Sequence, residues 1–266
     1  MRTLVVDGDL FVYEACTSVE RAVEWSPGEF TMHADLDEAK AHFDSRLNKL
    51  VEDLEADDCA IALSDYTDPW RKIVMPSYKA DRVEKRKPMV YWALREYVEA
   101  SRRVYSKPGL EGDDVVGILF TSDKIIPGEK IVVYEDKDLL QLPGTHLRLN
   151  RMKAGPVANS LFVVEQAEGD HWHLMQTLAG DVTDGYKGIP GVGPKKAEKI
   201  LAPAYQFPHG EGFDVAMAWP LVVAAYEKAG LTAEDALTTA RIARICRASD
   251  WNFKTKEVRL WTPPVA

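Results

Sequence analysis

Cysteine is scarce in this chain: Cys16, Cys59 and Cys246 are the only three in 266 residues. An odd number so widely spaced excludes a disulfide framework or a zinc knuckle and fits buried thiols in a reducing compartment. Long apolar runs are missing too, so nothing in the sequence predicts a membrane-spanning helix, which needs about 20 such residues. The opening "MRTLVVDGDL" meets an acid too early for a secretion signal. The histidines show no HExxH spacing, and the one close pair, His171 and His173, is read as structural or exposed rather than metal-binding. Low-complexity segments and internal repeats are absent. An excess of cations is also lacking: 33 Lys and Arg face 42 Asp and Glu, a net charge of −9. A uniformly basic, phosphate-binding surface is therefore excluded, and any nucleic-acid contact must come from local patches. The expectation is a cytoplasmic protein with no membrane partner and a monomeric state.

The apolar patterning that is present alternates between two periods. "TLVVD" (3–7), "CAIALSD" (59–65) and "KIVVYEDKD" (130–138) are short β-branched or apolar runs that end on acids. They read as buried parallel strands. Between them, 35–56, 88–104 and 112–123 carry helical spacing. "THLRLNR" and "NSLFVVEQ" read as a strand pair, and the pattern is helical from about 170 to 248. This order predicts an α/β fold with a central, mainly parallel sheet, flanking helices and a helical C-terminal region. A domain boundary is expected near 170/171. In such sheets ligands bind beyond the carboxyl ends of the strands, where Asp7, Asp65 and Asp136 would meet.

Acids are abundant at these strand ends and turns: Asp7, Asp65, Glu111, Asp113, Asp114, Asp136, Asp138, Asp181 and Asp184. Crowded carboxylates repel unless a cation neutralises them. Oxygen donors without His or Cys favour Mg²⁺, with Mn²⁺ able to substitute. Nine exceed the needs of one ion and suit two, a pair able to hold the attacking and leaving oxygens of a phosphodiester. Setting these nine aside leaves 33 acids, equal to the 33 Lys and Arg, so the charge deficit equals the candidate site. Asp9 and Asp44 read instead as helix caps.

Cations concentrate in two places. "WRKIVMPSYKADRVEKRKP" (70–88) holds seven Lys and Arg against two acids. It reads as an electropositive lip in which Arg71, Lys79 and Arg82 contact phosphate and Tyr78 stacks on an end base. The spacing of Lys79 and Arg82 predicts one shared helical face. "GIPGVGPKKAEKIL" (188–201) combines Gly191 and Gly193 with Pro194 at a helix start, then Lys195 and Lys196. Such a start offers backbone N–H groups to phosphate without reading bases.

The motifs "VVDGD", "YKADR", "GLEGDDVVG", "DKDLLQL" and "GDVTDGYKGIPGVGPKKAEKIL" together resemble the 5′→3′ exonuclease and flap endonuclease family. The likeness is to the free-standing form found in short-tailed bacteriophages. It covers Asp7 to about Leu201 and is weak after about 205. It implies a PIN-like core, a helical arch at about 70–105, and a helix–three-turn–helix at about 174–201. By resemblance, Asp7, Asp65, Asp114 and Asp136 surround a first metal, and Asp138, Asp181 and Asp184 a second. Glu111 and Asp113 lie between them. Lys79 and Arg82 match the pair at the scissile phosphate, and the glycine hairpin holds K⁺ against DNA. The implied activity is Mg²⁺-dependent 5′→3′ DNA exonuclease on duplex 5′ ends, with flap cleavage and RNase H-type action on RNA–DNA hybrids. A PIN-type RNA endonuclease would share the acids, and a non-catalytic DNA-end-binding protein would share the hairpin. Two departures stand out: "EDKD" adds Glu135 beside the site, and Gly185, Tyr186 and Lys187 add a turn before the hairpin.

Overall fold

The computed structural model describes residues 1–80, 86–149, 160–205 and 212–264. The elements run β1 (Arg2–Asp7), α1 (Gly8–Val19), β2 (Arg21–Ser26), β3 (Glu29–His33), α2 (Leu36–Asp53), β4 (Asp58–Ala62) and α3 (Arg71–Val74). Then come α4 (Tyr91–Ser101), β5 (Val104–Tyr105), α5 (Gly112–Phe120), β6 (Glu129–Tyr134), β7 (Gly144–Arg148), β8 (Leu161–Val164) and α6 (Gln166–Ala179). The chain continues through β9 (Gly180–Asp181), β10 (Tyr186–Lys187), α7 (Pro194–Leu201), α8 (Val215–Lys228), α9 (Ala233–Ala243), β11 (Trp251–Asn252) and β12 (Glu257–Val258).

The strand order of the main sheet is β5-β4-β1-β6-β7-β8. The pairings β4–β1 and β1–β6 are parallel, as the apolar runs predicted, and β5–β4 is parallel as well. Leu4, Val5, Ile131, Val132 and Ala60 are fully buried because helices cover both faces of such a sheet. β7 and β8 fulfil the expected strand pair. The helix expected over 88–104 stops at Ser101, since Val104 and Tyr105 join the sheet beside Ile61 and Ala62. The antiparallel β2–β3 hairpin is not among the elements expected from the patterning. It buries neither face, so it carries no alternation to detect; the turn dipeptide Pro27–Gly28, with Gly28 at φ 83°, was its one signal.

The chain divides into two compact units, Met1–Asp65 with Glu84–Glu135 and His146–Leu161, and Tyr66–Val83 with Asp136–Thr145 and Phe162–Ala266. Residue 170, where a boundary was expected, falls inside α6. In the first unit Phe11, Phe43, Leu47, Leu94 and Val98 pack against Leu4, Val6 and Ile61. Each such side chain contributes roughly 1.5–3 kcal/mol of apolar burial. In the second unit Leu174, Leu178, Ala197, Leu201, Val222, Tyr226 and Ala236 bring α6, α7, α8 and α9 together. Tyr226 ties α8 to α6 by donating its hydroxyl to the Thr177 carbonyl at 2.6 Å. Among the described residues no helix is long and apolar enough to cross a membrane.

Candidate active site

In the first unit, parallel strands bring acids to one edge of the sheet. β1 ends at Asp7, in register with Ala62 of β4, and Asp65 follows three residues later. Asp7 is also the N-cap of α1, accepting from the Leu10 N–H at 3.3 Å. The helix can start at once because residue 8 is glycine: a Cβ there would lie 2.4 Å from Ile61 Cγ2 and 2.7 Å from the Ala62 carbonyl. Asp9, read from the sequence as a cap, does another job. Its Oδ2 accepts from the Ser64 N–H at 2.8 Å, while Arg95 stands 3.5 Å from its Oδ1. Arg95 also donates to the Ser64 carbonyl at 2.9 Å, and Ser64 Oγ accepts from the Gly112 N–H at 2.8 Å. Asp44 is likewise no cap; it holds Tyr97 and Arg102. These bonds fasten the turn after β4 to the start of α5. Asp65 accepts from Gly109 N–H at 3.1 Å. Glu111 is the N-cap residue of α5, and Asp113 and Asp114 stand in its first turn, where the helix dipole favours negative charge. Asp114 is completely buried.

The second unit gathers the remaining acids. Asp136 caps the short 3-10 turn Lys137–Gln141, accepting from the Asp138 N–H at 3.0 Å. Burial, then the neighbouring Asp136 charge with Asp181 and Asp184, pushes the Asp138 carboxyl up to about 7, against the opposing pull of Lys137. Asp181 opens the β9–β10 turn: its Oδ1 accepts from the Thr183 N–H at 2.7 Å and the Asp184 N–H at 3.3 Å. Burial raises the Asp181 pKa, but the Lys137 ammonium at 3.1 Å and the Thr183 and Asp184 N–H groups together outweigh it and hold the carboxyl below its ordinary value. Asp184 receives the Tyr78 hydroxyl at 3.2 Å and faces Lys79 Nζ at 3.6 Å. The Lys79 N–H donates to the Asp184 carbonyl at 3.1 Å. The added turn now has a role: Gly185, at φ 73°, lets its backbone approach Lys79, and Tyr186 is buried beside Asp181 in the β9–β10 pair.

Several expectations for the basic lip are corrected. Lys79 has φ 55° and lies in a turn after α3, so it does not share a helical face. Arg82 lies outside the described residues, as does the middle of the expected arch at 81–85. Tyr78 is 2% exposed, packed against Tyr186, Ile242 and Ala243, and cannot stack on a base. Arg71 is 3% exposed and serves the fold: it donates to the Ile242 carbonyl at 2.9 Å and the Arg244 carbonyl at 2.6 Å, over the ring of Trp70. Arg71→Ala would leave two buried carbonyls unpaired, at about 1–3 kcal/mol each. A loss of roughly 3 kcal/mol in urea unfolding is expected, and an unchanged midpoint would refute the assignment.

The glycine hairpin is exposed. Gly191 has φ 73° with open space where a Cβ would stand, Gly193 caps α7, and Pro194 takes its first position. Lys195 and Lys196 project from that end, and Lys196 Nζ donates to the Gly191 carbonyl at 2.7 Å. His173, expected to be structural or exposed, is buried and bonded to the Ala240 carbonyl at 2.7 Å. Burial holds its pKa well below the usual histidine value. Lys137 and the buried pair Gln141 and Gln176 are site neighbours not among the residues expected from the sequence. A polar Gln176 inside the apolar "HLMQTLAG" run was the available signal.

The donor set suits a hard cation in kind, being oxygen throughout. Among the described residues, however, no three Asp, Glu, His or Cys are grouped closely enough to hold a metal ion. Lys137 and Lys79 neutralise Asp181 and Asp184 instead.

A family model described as the 5′-3′ exonuclease N-terminal resolvase-like domain matches residues 2–168. An exonuclease of Escherichia phage T7 is 30% identical over 289 residues, covering 98% of this chain and 93% of that protein. The flap endonuclease Xni of Shewanella oneidensis is 30% identical over 138 residues, half of this chain and 52% of its own length. A solved flap endonuclease of bacteriophage T5, in complex with DNA and metal ions, superposes with a TM-score of 0.62 at 10% identity. That likeness covers 91% of this chain and 89% of the other, and it is one of fold. With the model spanning the sheet unit and the phage relative nearly the whole length, this chain belongs to the 5′-3′ exonuclease family.

Proposed function

We propose that the protein is a divalent-metal-dependent 5′→3′ exodeoxyribonuclease that hydrolyses phosphodiester bonds from the 5′ ends of duplex DNA in a cytoplasm. The observation that carries this reading is the group around Asp138, a buried carboxylate kept among Asp136, Asp181 and Asp184. Burying like charges is costly without a cation; Lys137 and Lys79 fill that role here, and a divalent ion would take it over when bound. Asp7, Asp65 and Asp114 would hold one Mg²⁺ and Asp138, Asp181 and Asp184 a second, with Asp136, Glu111 and Asp113 as further donors. Bound there, the ions would lower the pKa of a water and stabilise the leaving oxygen.

The chain's own residues supply the rest. Asp181 and Asp184 fix the β9–β10 turn, and that turn holds Lys79 by main-chain and ionic contact. Lys79 would exchange Asp184 for the scissile phosphate, with Arg82 as its expected companion. The N–H groups before α7 and the Lys195 ammonium would bind backbone phosphates of the duplex without base preference. A potassium ion at the hairpin would compete with Lys196 for the Gly191 carbonyl. Flap cleavage and RNase H-type action on RNA–DNA hybrids would use the same chemistry on other 5′ strands.

Release of nucleotides from 5′-labelled duplex in Mg²⁺, lost in EDTA and restored by Mn²⁺, is the expected result. Undiminished release in EDTA would sink the metal reading. Lys195→Ala should weaken duplex binding and reduce the slope of log affinity against log salt by about one. Unchanged affinity and slope would remove the hairpin as the DNA grip.

A further inference from the structure

Behind Asp138 runs a chain of side-chain amides. Gln176, on α6, donates its Nε2–H to Asp138 Oδ1 at 2.7 Å. Gln141, at the end of the 3-10 turn, donates one Nε2 hydrogen to Gln176 Oε1 at 2.7 Å and the other to the Ala243 carbonyl at 2.6 Å. Gln141 Oε1 accepts from the Ile245 N–H at 3.1 Å. Both glutamines are buried, Gln141 completely.

This arrangement has a direction. A flipped Gln141 would set its oxygen against the Ala243 carbonyl and its NH₂ against the Ile245 N–H, so the main chain at 243–245 fixes the amide's orientation. With Nε2 of Gln141 facing it, Gln176 must present Oε1 backwards and Nε2 forwards. The orientation set by two main-chain groups is thereby passed to the carboxylate.

We propose that Gln176, locked by Gln141, is a positioning residue for cation binding by Asp138. It occupies Oδ1 from within the fold and leaves Oδ2 to a divalent ion. The inference rests on the metal-dependent reading above. Partners of this kind that orient a ligating carboxylate typically change metal affinity by about 10–100-fold when removed.

The experiment titrates Mn²⁺ into the full chain and follows free Mn²⁺ by electron paramagnetic resonance. Wild type is compared with Gln176→Met, which keeps the length but loses the amide. Gln176→Asn is run in parallel, since its shorter amide cannot span Gln141 and Asp138; it also serves if the methionine variant does not fold. Asp138→Asn marks the site. Thermal unfolding in EDTA is recorded for each. The expected result is Mn²⁺ affinity about 10–100-fold weaker at the site lost in Asp138→Asn, with a lower unfolding temperature in EDTA, because Gln141 and Asp138 Oδ1 each lose a buried partner. Wild-type Mn²⁺ affinity in the folded Gln176 variants overturns the positioning role, whatever happens to their stability. Absence of Mn²⁺ binding by the wild type overturns the metal reading and this inference together.

Discussion

Asp138→Asn is expected to lower nucleotide release from a 5′-labelled duplex by at least about 100-fold, the scale of losing one preorganised electrostatic group at a reacting centre. The same change should leave thermal stability in EDTA unchanged or raised. Asn keeps the shape of Asp and an oxygen able to accept from Gln176, and it removes one negative charge from among Asp136, Asp181 and Asp184. Opposite signs on rate and stability distinguish a group retained for chemistry from one retained for folding. A variant that cuts at the wild-type rate would remove Asp138 from the site. One that loses activity only because it unfolds would also fail the expectation.

The largest loss of stability is expected from Gly180→Ala. Gly180 ends α6 with φ 71° and ψ 177°, a region essentially confined to glycine. A Cβ there would lie 2.2 Å from the Gly188 nitrogen, which is backbone and cannot swing aside. Strain and overlap together should cost about 4 kcal/mol or more, the range reserved for such backbone conflicts. For a chain of this size that lowers the unfolding temperature by roughly 10 °C. Gly191→Ala is the control, with φ 73° and open space around the added methyl. Only conformational strain of about 1–2 kcal/mol applies there. Equal effects at the two positions would show that the close approach of Gly180 to Gly188 does not matter.

The parts of the fold legible in the sequence are those whose partners lie near in pattern. "LVV", "CAIA" and "IVV" announced β1, β4 and β6 because strands buried on both faces are apolar throughout. Asp7 and Asp65 were legible because parallel strands put their ends at one edge. Arg71 and Tyr78 were misread because their partners are remote: Arg71 donates to a carbonyl 171 residues away, and a cation within a cationic run reads as surface. Lys79 was misplaced on a helix because spacing alone does not reveal a residue with φ 55°. Gln141 and Gln176 were missed since a buried amide carries no signature until its partners are known. β9 and β10 were hidden inside a region of helical pattern, two residues each.

The stretch Ile242–Arg247 receives side chains from far upstream. Arg71 binds the Ile242 and Arg244 carbonyls, Gln141 binds at Ala243 and Ile245, and Arg247 donates to the Gln141 carbonyl at 2.5 Å. A ribosome adds residues at roughly 5–20 per second, so these props leave it about 5–20 s after Asp136 and about 10–50 s after Asp7. Until then the amides behind Asp138 have nothing to set their direction. A chain broken off before Ile242 would carry all nine candidate acids and lack the main-chain groups that orient one of them. On the positioning role proposed for Gln176, competence to cut would wait until Ala243 and Ile245 have been made.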